Sequence, residues 1–172
     1  MLNVDYDVLR DLIVSGEAVR VVSPLRVDDI NEVAWSGSPT HLDSIASQLQ
    51  RVATGEVVYL VVYAEGHGVC KGGIDFAKEP GAGTIWQIAT HPQLEGLGLA
   101  TLLIDALEQQ ARHRGVHQLR LGVELDNTRA RRLYEHLGFH VIGESATSWL
   151  ADADDGTQFL YTTTIAEMKK SD

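Results

Sequence analysis

The segment best suited to binding a ligand is a turn between a predicted strand and a long predicted helix. The strand ends near Thr90, Pro92 follows, and Gly96 and Gly98 precede the helix with one residue between them. Main-chain N–H groups at the start of a helix have no partner within it, and the helix dipole adds about half a positive charge there. Because glycine lets the main chain approach a phosphate closely, this turn is a candidate phosphate site. A tight turn without a ligand would contain the same residues.

Two common nucleotide-binding patterns are excluded by the residues around this turn. A P-loop places Lys-Ser or Lys-Thr directly after its second glycine, whereas Leu99 and Ala100 follow Gly98. A Rossmann fingerprint needs three glycines in a parallel strand–helix–strand unit. The candidate site is therefore of another kind.

A second predicted helix, about thirty residues later, carries an amide and a phenol on one side. Asn127 and Tyr134 are seven residues apart, which is about two helical turns, so they project in nearly the same direction. Without a ligand, Asn127 would act as a helix cap and Tyr134 as a core residue. Those structural roles are compatible with a functional one.

The order of predicted strands and helices indicates the fold that positions these residues. Predicted strands at 57–64, 69–77 and 84–90 are separated by short turns and form an antiparallel meander. A helix at 99–111 and a strand at 118–124 follow. The other predicted elements are helices at 1–16, 28–34, 42–52 and 127–137, strands at 19–22, 139–142 and 158–165, and a charged tail at 167–172. We therefore predict an α/β fold of the α+β type, with a mixed, mostly antiparallel central sheet of six to seven strands and helices on both faces.

The amino-acid composition indicates which classes of partner the protein can bind and which cellular compartment it suits. The 172 residues are enough for one domain, spanning 1–172. Their formal net charge of −10 argues against nucleic acid or an anionic membrane as a partner and favours cations. The longest apolar run, at 57–64, is far short of the ~20 residues that span a bilayer. The single cysteine, Cys70, is expected in the core and fits a reducing compartment. We expect a cytoplasmic monomer or homodimer without a metal site.

Taken together, the glycine turn and the Asn127–Tyr134 helix resemble the GCN5-related N-acetyltransferase (GNAT) superfamily, enzymes that move an acyl group from a coenzyme A thioester to an amine. The resemblance runs from about residue 57 to 143 and more loosely from residue 20 to the final strand. In that family the turn reads Arg or Gln, two residues, Gly, one residue, then Gly or Ala. Gly98 and Ala100 match this pattern, whereas Glu95 does not.

The resemblance implies a single N-acetyltransferase domain that binds acetyl-CoA and the amine together. In this ternary complex the amine would attack the thioester directly. The strand before the turn would pair with the pantetheine arm, and Asn127 would hydrogen-bond it. Tyr134 would be the general acid, since a phenol of pKa near 10 is well matched to a leaving thiolate. The cofactor-binding residues that the resemblance implies are Ile88, Ala89, Thr90, Glu95, Gly96, Leu97, Gly98, Leu99, Ala100, Thr101, Asn127 and Tyr134.

Glu95 places a carboxylate where the resemblance implies a neutral or positive side chain beside the diphosphate. Either its side chain points to solvent while its main chain lines the turn, or the affinity for the cofactor is reduced. The first interpretation is favoured, because main-chain N–H groups hold the phosphates in this family.

The base that accepts the amine's proton is not evident from the sequence. Relatives often have a glutamate where this chain has Gln87, which cannot act as a base. Asp75, His91 and Glu124 remain candidates. His91 precedes a proline and is expected to be structural. Glu124 is predicted as a catalytic residue because it is one of the few acids in a predicted core strand, although its side chain would also suit a solvated face.

The acceptor is expected to be a small-molecule or peptide amine, with cationic amines favoured. The resemblance implies that the loop around the first two helices and the connection between the last two strands recognise it, with Trp35, Asp43 and Trp149 as the predicted contacts. Aromatic rings beside carboxylates attract an ammonium group. The acidic residues of that connection, Asp152, Asp154 and Asp155, would also serve solubility alone.

Three functions remain open at this point. The leading one is an acyl-CoA-dependent N-acyltransferase. The alternative is a non-catalytic coenzyme A-binding or regulatory module of the same fold, which Glu95 and the missing strand glutamate favour and Tyr134 disfavours. In the third, the glycine turn is purely structural and no cofactor binds.

Overall fold

The chain is described by a computed structural model that covers residues 3–171. Its four α-helices are α1 Tyr6–Ser15, α2 Pro39–Val52, α3 Leu99–His113 and α4 Thr128–His136. Its seven strands are β1 Arg20–Pro24, β2 Val57–Ala64, β3 His67–Asp75, β4 Ala82–Thr90, β5 Gln118–Glu124, β6 His140–Asp152 and β7 Gln158–Ser171. Two 3₁₀ segments, Val27–Ser36 and Pro92–Leu94, lie between them. None of the helices in this part of the chain has the length and apolarity needed to cross a bilayer.

All seven strands belong to one sheet, in the order β1-β2-β3-β4-β5-β7-β6. Every neighbouring pair is antiparallel except β4 and β5, which are parallel. The predicted mixed, mostly antiparallel sheet is therefore confirmed.

Alternation along β2 separates two apolar layers. Leu60 and Val62 pack with α1 and α3 on one face, whereas Tyr59 and Val61 pack with α2 and the segment Val27–Ser36 on the other. Successive side chains of a strand point to opposite faces, so one strand supplies both layers. Burying each such side chain contributes about 1.5–3 kcal/mol. Helices thus cover both faces of the sheet, as predicted.

The predicted charged tail is wrong. Residues 167–171 continue β7, which inserts between β5 and β6 and pairs with β5 from Ile165 to Ser171. Ala166 and Met168 face the core, and Lys170 Nζ lies 2.8 Å from Glu108 Oε1. Charged residues at alternate positions conceal this strand in the sequence. Asp172 of the predicted tail, like residues 1 and 2 of the predicted first helix, lies outside the described residues.

The last two strands form a longer hairpin than predicted. β6 extends ten residues beyond residue 142, and only residues 153–157 connect it to β7. Thr40, in the first turn of α2, hydrogen-bonds the end of β6 at Asp152. Its Oγ1 donates to Asp152 Oδ1 at 2.6 Å, and its main-chain N–H donates to Asp152 Oδ2 at 3.2 Å. The hairpin therefore lies against the start of α2.

The sheet opens between β4 and β5. Residues 82–84 pair with 118–120, and no pairing continues beyond them within the described chain. A bulge in β4 shifts the register opposite Gly72, where Gln87 adopts a φ of 57°. A bulge bends its strand, and a left-handed residue other than glycine costs about 1–3 kcal/mol, so surrounding contacts must hold it. The result is a V-shaped cleft between the two strands.

Candidate functional site

Two cavities lie in this cleft. The first, the turn-side cavity, has a volume of about 520 Å³ and lies between the end of β4, the glycine turn and the start of α4. The second, the hairpin-side cavity, has a volume of about 740 Å³ and lies between α2, β4, β5 and the β6–β7 hairpin. Four residues line both, namely Ile88, Asn127, Ala130 and Tyr134. The two cavities therefore share one wall.

The turn-side cavity gathers nearly all the residues predicted to bind the cofactor. Leu97 does not line it and instead packs against the core. Gly96 and Gly98 have φ values of 77° and 80°, a conformation that costs other residues energy. Gly98 caps α3, so the first N–H groups of that helix have no helical partner. A Cβ on Gly98 would meet nothing within 4 Å, so conformation rather than crowding requires glycine there.

Glu95 is paired with Arg129, which is not among the predicted site residues. Arg129 Nη1 lies 2.7 Å from Glu95 Oε2, and both side chains are partly exposed. The Glu95 carboxylate thus has a cationic partner, which neither of the two interpretations of its sequence position includes. Arg129 also lines the turn-side cavity. Its position within the run Arg129, Arg131 and Arg132 gives no signal that singles it out.

Tyr134 and Asn127 lie on the same side of α4, as their spacing predicts, and both line the shared wall. Tyr134 is 9 % exposed and packs edge-on to Phe139. Burial raises the pKa of its phenol to about 12, so the group keeps its proton at neutral pH. Asn127 caps α4 by accepting from the Ala130 N–H at 3.1 Å. The phenol can therefore donate a proton in the cleft.

The three carboxylate or imidazole candidates for a base occupy different places. Glu124 ends β5, lines the hairpin-side cavity and accepts from the Tyr161 hydroxyl at 2.8 Å. Asp75 is held by Arg51 at 2.8 and 3.0 Å. Burial alone would raise its pKa, but hydrogen bonds from Arg51 and a main-chain N–H hold the pKa below its usual value. Asp75 therefore acts as an ion-pair partner away from the cleft.

His91 has structural contacts. Its ring stacks on Tyr6 with centroids 3.8 Å apart, and its Nδ1 accepts from the Gln93 N–H at 3.2 Å. Burial lowers the pKa of the imidazole. The expected structural role of His91 agrees with these contacts.

The residues predicted to contact the acceptor are not brought together. Trp149 lines the hairpin-side cavity, with its ring 4.9 Å from that of Tyr161. Trp35 lies elsewhere, donating from Nε1 to the Gly68 carbonyl at 2.9 Å. Asp43 is exposed on α2, because its helical position turns it away from the face that His41 shares with Ser44. His41 and Ser44 line the hairpin-side cavity in place of Asp43.

A buried lysine behind this cavity was also missed. Lys71 is 1 % exposed, and its Nζ lies 2.8 Å from the Gln87 carbonyl oxygen and 3.0 Å from His41 Nε2. The Gln87 side chain accepts from the Tyr59 hydroxyl at 2.9 Å and donates to Ser44 Oγ at 3.3 Å. These contacts hold the bulge in β4. The signal in the sequence is the one lysine of β3, which stands between Cys70 and the glycines that precede Ile74.

Comparison with curated proteins finds acetyltransferases. Part of the chain is 38% identical over 81 residues to a mycothiol acetyltransferase of Beutenbergia cavernae, which is 46% of this chain and 27% of that protein. Another match is 36% identical over 77 residues to an L-2,4-diaminobutyric acid acetyltransferase of Streptomyces coelicolor, 42% of this chain and 45% of that protein. The chain thus matches less than half the length of either relative.

Comparison with solved structures supports the fold. The PaiA N-acetyltransferase of Thermoplasma acidophilum, solved in complex with coenzyme A, superposes with a TM-score of 0.67 over 90% of this chain and 99% of that one, at 14% identity. The family model for the acetyltransferase (GNAT) family matches residues 26–139, which include the meander, the glycine turn and α4. The resemblance in the sequence is thereby confirmed, and this chain belongs to the GNAT acetyltransferase family.

Proposed function

We propose that this protein transfers an acetyl group from acetyl-CoA to an amine. The observation that carries the proposal is the pair of cavities joined at a wall containing Tyr134. One cavity has the features of an anion site, and the other has carboxylates and an aromatic ring. Membership of the family and the names of its relatives, a mycothiol and a diaminobutyric acid acetyltransferase, support this reaction.

The turn-side cavity fits coenzyme A. The free N–H groups at the start of α3 suit the diphosphate, and the space at Gly98 leaves them accessible. β4 diverges from β5 after residue 84, so its later main-chain groups are available to an extended amide arm. The structural neighbour in complex with coenzyme A supports this assignment. When bound, the cofactor supplies the acyl group as an activated thioester.

Tyr134 is proposed to protonate the departing thiolate. Tyr134 lies on the wall that the two cavities share, and its pKa of about 12 keeps the phenol protonated in the free protein. The same rise makes it a weaker acid than the ordinary phenol on which the sequence prediction rests. Asn127 is proposed to orient the cofactor arm from the same helix face. Both proposed roles follow the sequence prediction.

The acceptor is proposed to be a small amine carrying positive charge. A volume of about 740 Å³ is within the range of small-molecule sites, and Glu124, Asp152 and Trp149 line it. A carboxylate and an aromatic face together attract ammonium groups. We propose that Glu124 and Trp149 hold this group; the catalytic role predicted for Glu124 from the sequence stays a prediction.

Cofactor binding should stabilise the protein against unfolding. At a concentration one hundred times its Kd, acetyl-CoA is expected to add about 2.7 kcal/mol to the free energy of unfolding. Denaturant unfolding with and without the ligand measures this change, with adenosine alone as the control because it lacks the diphosphate and the arm. No stabilisation at millimolar acetyl-CoA would contradict the proposal. Release of free thiol with a panel of amines then tests the transfer itself.

Arg129→Ala is expected to weaken acetyl-CoA binding about two- to fivefold, because an exposed ion pair is worth about 1 kcal/mol or less. The loss of Arg129 leaves the Glu95 carboxylate unpaired beside the turn. Adding Glu95→Gln to this variant should restore the Kd, which calorimetry can measure. Arg131→Ala is the control, since Arg131 pairs with Glu135 along α4 and does not line the cavity. A Kd unchanged in Arg129→Ala would contradict a role for this pair.

A further inference from the structure

Lys71 has no acidic partner despite its burial. No carboxylate in residues 3–171 pairs with its Nζ, which contacts the Gln87 carbonyl and His41 Nε2 instead. A buried ammonium without a counter-charge is costly, so the neutral amine is favoured. To support the bulge in β4, Lys71 would need only to donate a hydrogen bond to the Gln87 carbonyl oxygen. The contact with His41 calls for another explanation.

The imidazole of His41 lies at the edge of the hairpin-side cavity, in the first turn of α2. The Ser38 hydroxyl accepts from its main-chain N–H at 3.3 Å. A Cβ at Gly37 would lie 2.6 Å from His41 Cδ2, so glycine at this position leaves room for the ring. Its Nε2 faces Lys71, and no protein group in the described chain hydrogen-bonds its Nδ1. One ring nitrogen is therefore available to a ligand.

The other titratable groups of this cavity are differently engaged. Glu124 accepts from Tyr161, and Asp152 accepts two hydrogen bonds from Thr40. Tyr134 holds its proton, and Lys78 is an exposed cation. Among these groups, His41 combines a neutral ring with a free nitrogen.

We propose that His41 is the base that removes a proton from the acceptor amine, and that Lys71 positions it by fixing which ring nitrogen carries hydrogen. This proposal rests on the proposed function. It names His41 as a catalytic residue that touches the amine and Lys71 as the residue behind it, which sets the tautomer of the ring and receives the Nε2 proton.

Whether the proton can be transferred depends on the protonation state of Lys71, and protons and charges balance in the step. With Lys71 neutral, the His41 Nε2–H donates to the Lys71 nitrogen, which leaves Nδ1 with a lone pair. The acceptor's ammonium gives one proton to Nδ1, the Nε2 proton passes to Lys71 Nζ, and the acceptor nitrogen keeps its electron pair. The products are a neutral amine, a neutral imidazole and a Lys71 ammonium. With Lys71 protonated beforehand, Nζ donates to Nε2, and the proton on Nδ1 blocks the reaction.

The electrostatics of the surroundings agree with this arrangement. Burial lowers the pKa of Lys71 to about 7, and burial together with Lys71 lowers the pKa of His41 to about 4. The neighbouring titratable groups, Tyr59 on β2 and Cys70 on β3, have pKa values raised by burial, that of Cys70 to about 11. They stay neutral while Lys71 titrates. Raising the pH through neutrality therefore converts His41 to the form that accepts a proton.

Nitrogen NMR of the ligand-free protein tests the coupling without any reaction. The proton of His41 is expected to move from Nδ1 to Nε2 as the pH rises through about 7, the value to which burial brings the pKa of Lys71. Lys71→Met should abolish this change, and His41→Gln identifies the signals. A His41 ring that keeps one tautomer from pH 5.5 to 9 in the wild type would overturn the proposal, whether or not the protein acetylates an amine.

Kinetics test the base itself. His41→Gln is expected to lower kcat about a hundredfold or more at pH 7.5, with an unchanged Kd for acetyl-CoA. Lys71→Arg, which fixes a positive charge behind the ring, should lower kcat by a similar factor, whereas the exposed His140→Gln should keep the wild-type kcat. Glu124→Gln should raise KM for the amine more than it lowers kcat. A His41→Gln variant with wild-type kcat would assign the base to another group, and a wild-type protein that acetylates no amine would contradict the proposed function instead.

Discussion

Tyr134→Phe is expected to lower kcat by about 10²–10⁴-fold, the usual contribution of a general acid, while the Kd for acetyl-CoA changes little. The substitution removes one hydroxyl from a buried side chain and keeps the ring that packs on Phe139. Without that hydroxyl, no proton donor on the shared wall meets the departing thiolate. Steady-state kinetics and calorimetry measure the two effects separately.

Tyr6→Phe is the matched control for this experiment. Tyr6 loses the same hydroxyl, but its ring stacks on His91 and does not line either cavity. It should keep the wild-type kcat. A Tyr134→Phe variant with unaltered kcat would show that water or another group protonates the thiolate.

Gly98→Glu is expected to weaken acetyl-CoA binding by at least about tenfold. The new carboxylate would lie at the start of α3, where the N–H groups and the helix dipole attract an anion, and would compete with the diphosphate. The left-handed conformation at this position, with a φ of 80°, also costs a side chain other than glycine about 1–2 kcal/mol. Calorimetric titration with acetyl-CoA measures the change.

Two variants separate charge from strain in this prediction. Gly98→Ala introduces the strain without the charge and should weaken binding less. Gly81→Glu introduces both at a φ of 75° in an exposed turn before β4 and should leave the Kd unchanged. Equal losses in Gly98→Ala and Gly98→Glu would assign the effect to the backbone, and an unchanged Kd in Gly98→Glu would place the diphosphate elsewhere.

The sequence predicts the buried strands well and the exposed hairpin poorly. The bounds of β2 and β5 agree with the prediction because apolar residues mark them. The predicted β6 is too short because residues 143–152, its outer part, carry serine, threonine and exposed side chains. The predicted β7 is too short at its inner end, where charged residues alternate with the buried Ala166 and Met168. The register between two such strands depends on partners distant in the chain, and no local pattern records it.

The site shows the same division between local and distant signals. The glycine turn and the two-turn spacing of Asn127 and Tyr134 are local, so the sequence reveals them. The contact between Glu95 and Arg129 joins residues 34 positions apart, and that between His41 and Lys71 joins residues 30 apart. Each of these pairs depends on how separate elements pack, which periodicity does not encode.

The short parallel joint between β4 and β5 has a mechanical consequence. Within the described residues, β4 pairs with β5 at positions 82–84 alone, and on the far side of the cleft Thr40 hydrogen-bonds Asp152. One apolar layer on the α3 side spans both parts, from Leu60 on β2 to Met168 on β7, so that shared packing and the Thr40–Asp152 contact hold the width of the gap together with the joint. We expect amide hydrogens at this joint to exchange faster than those of β2 and β3, because local opening requires less free energy where fewer contacts must break.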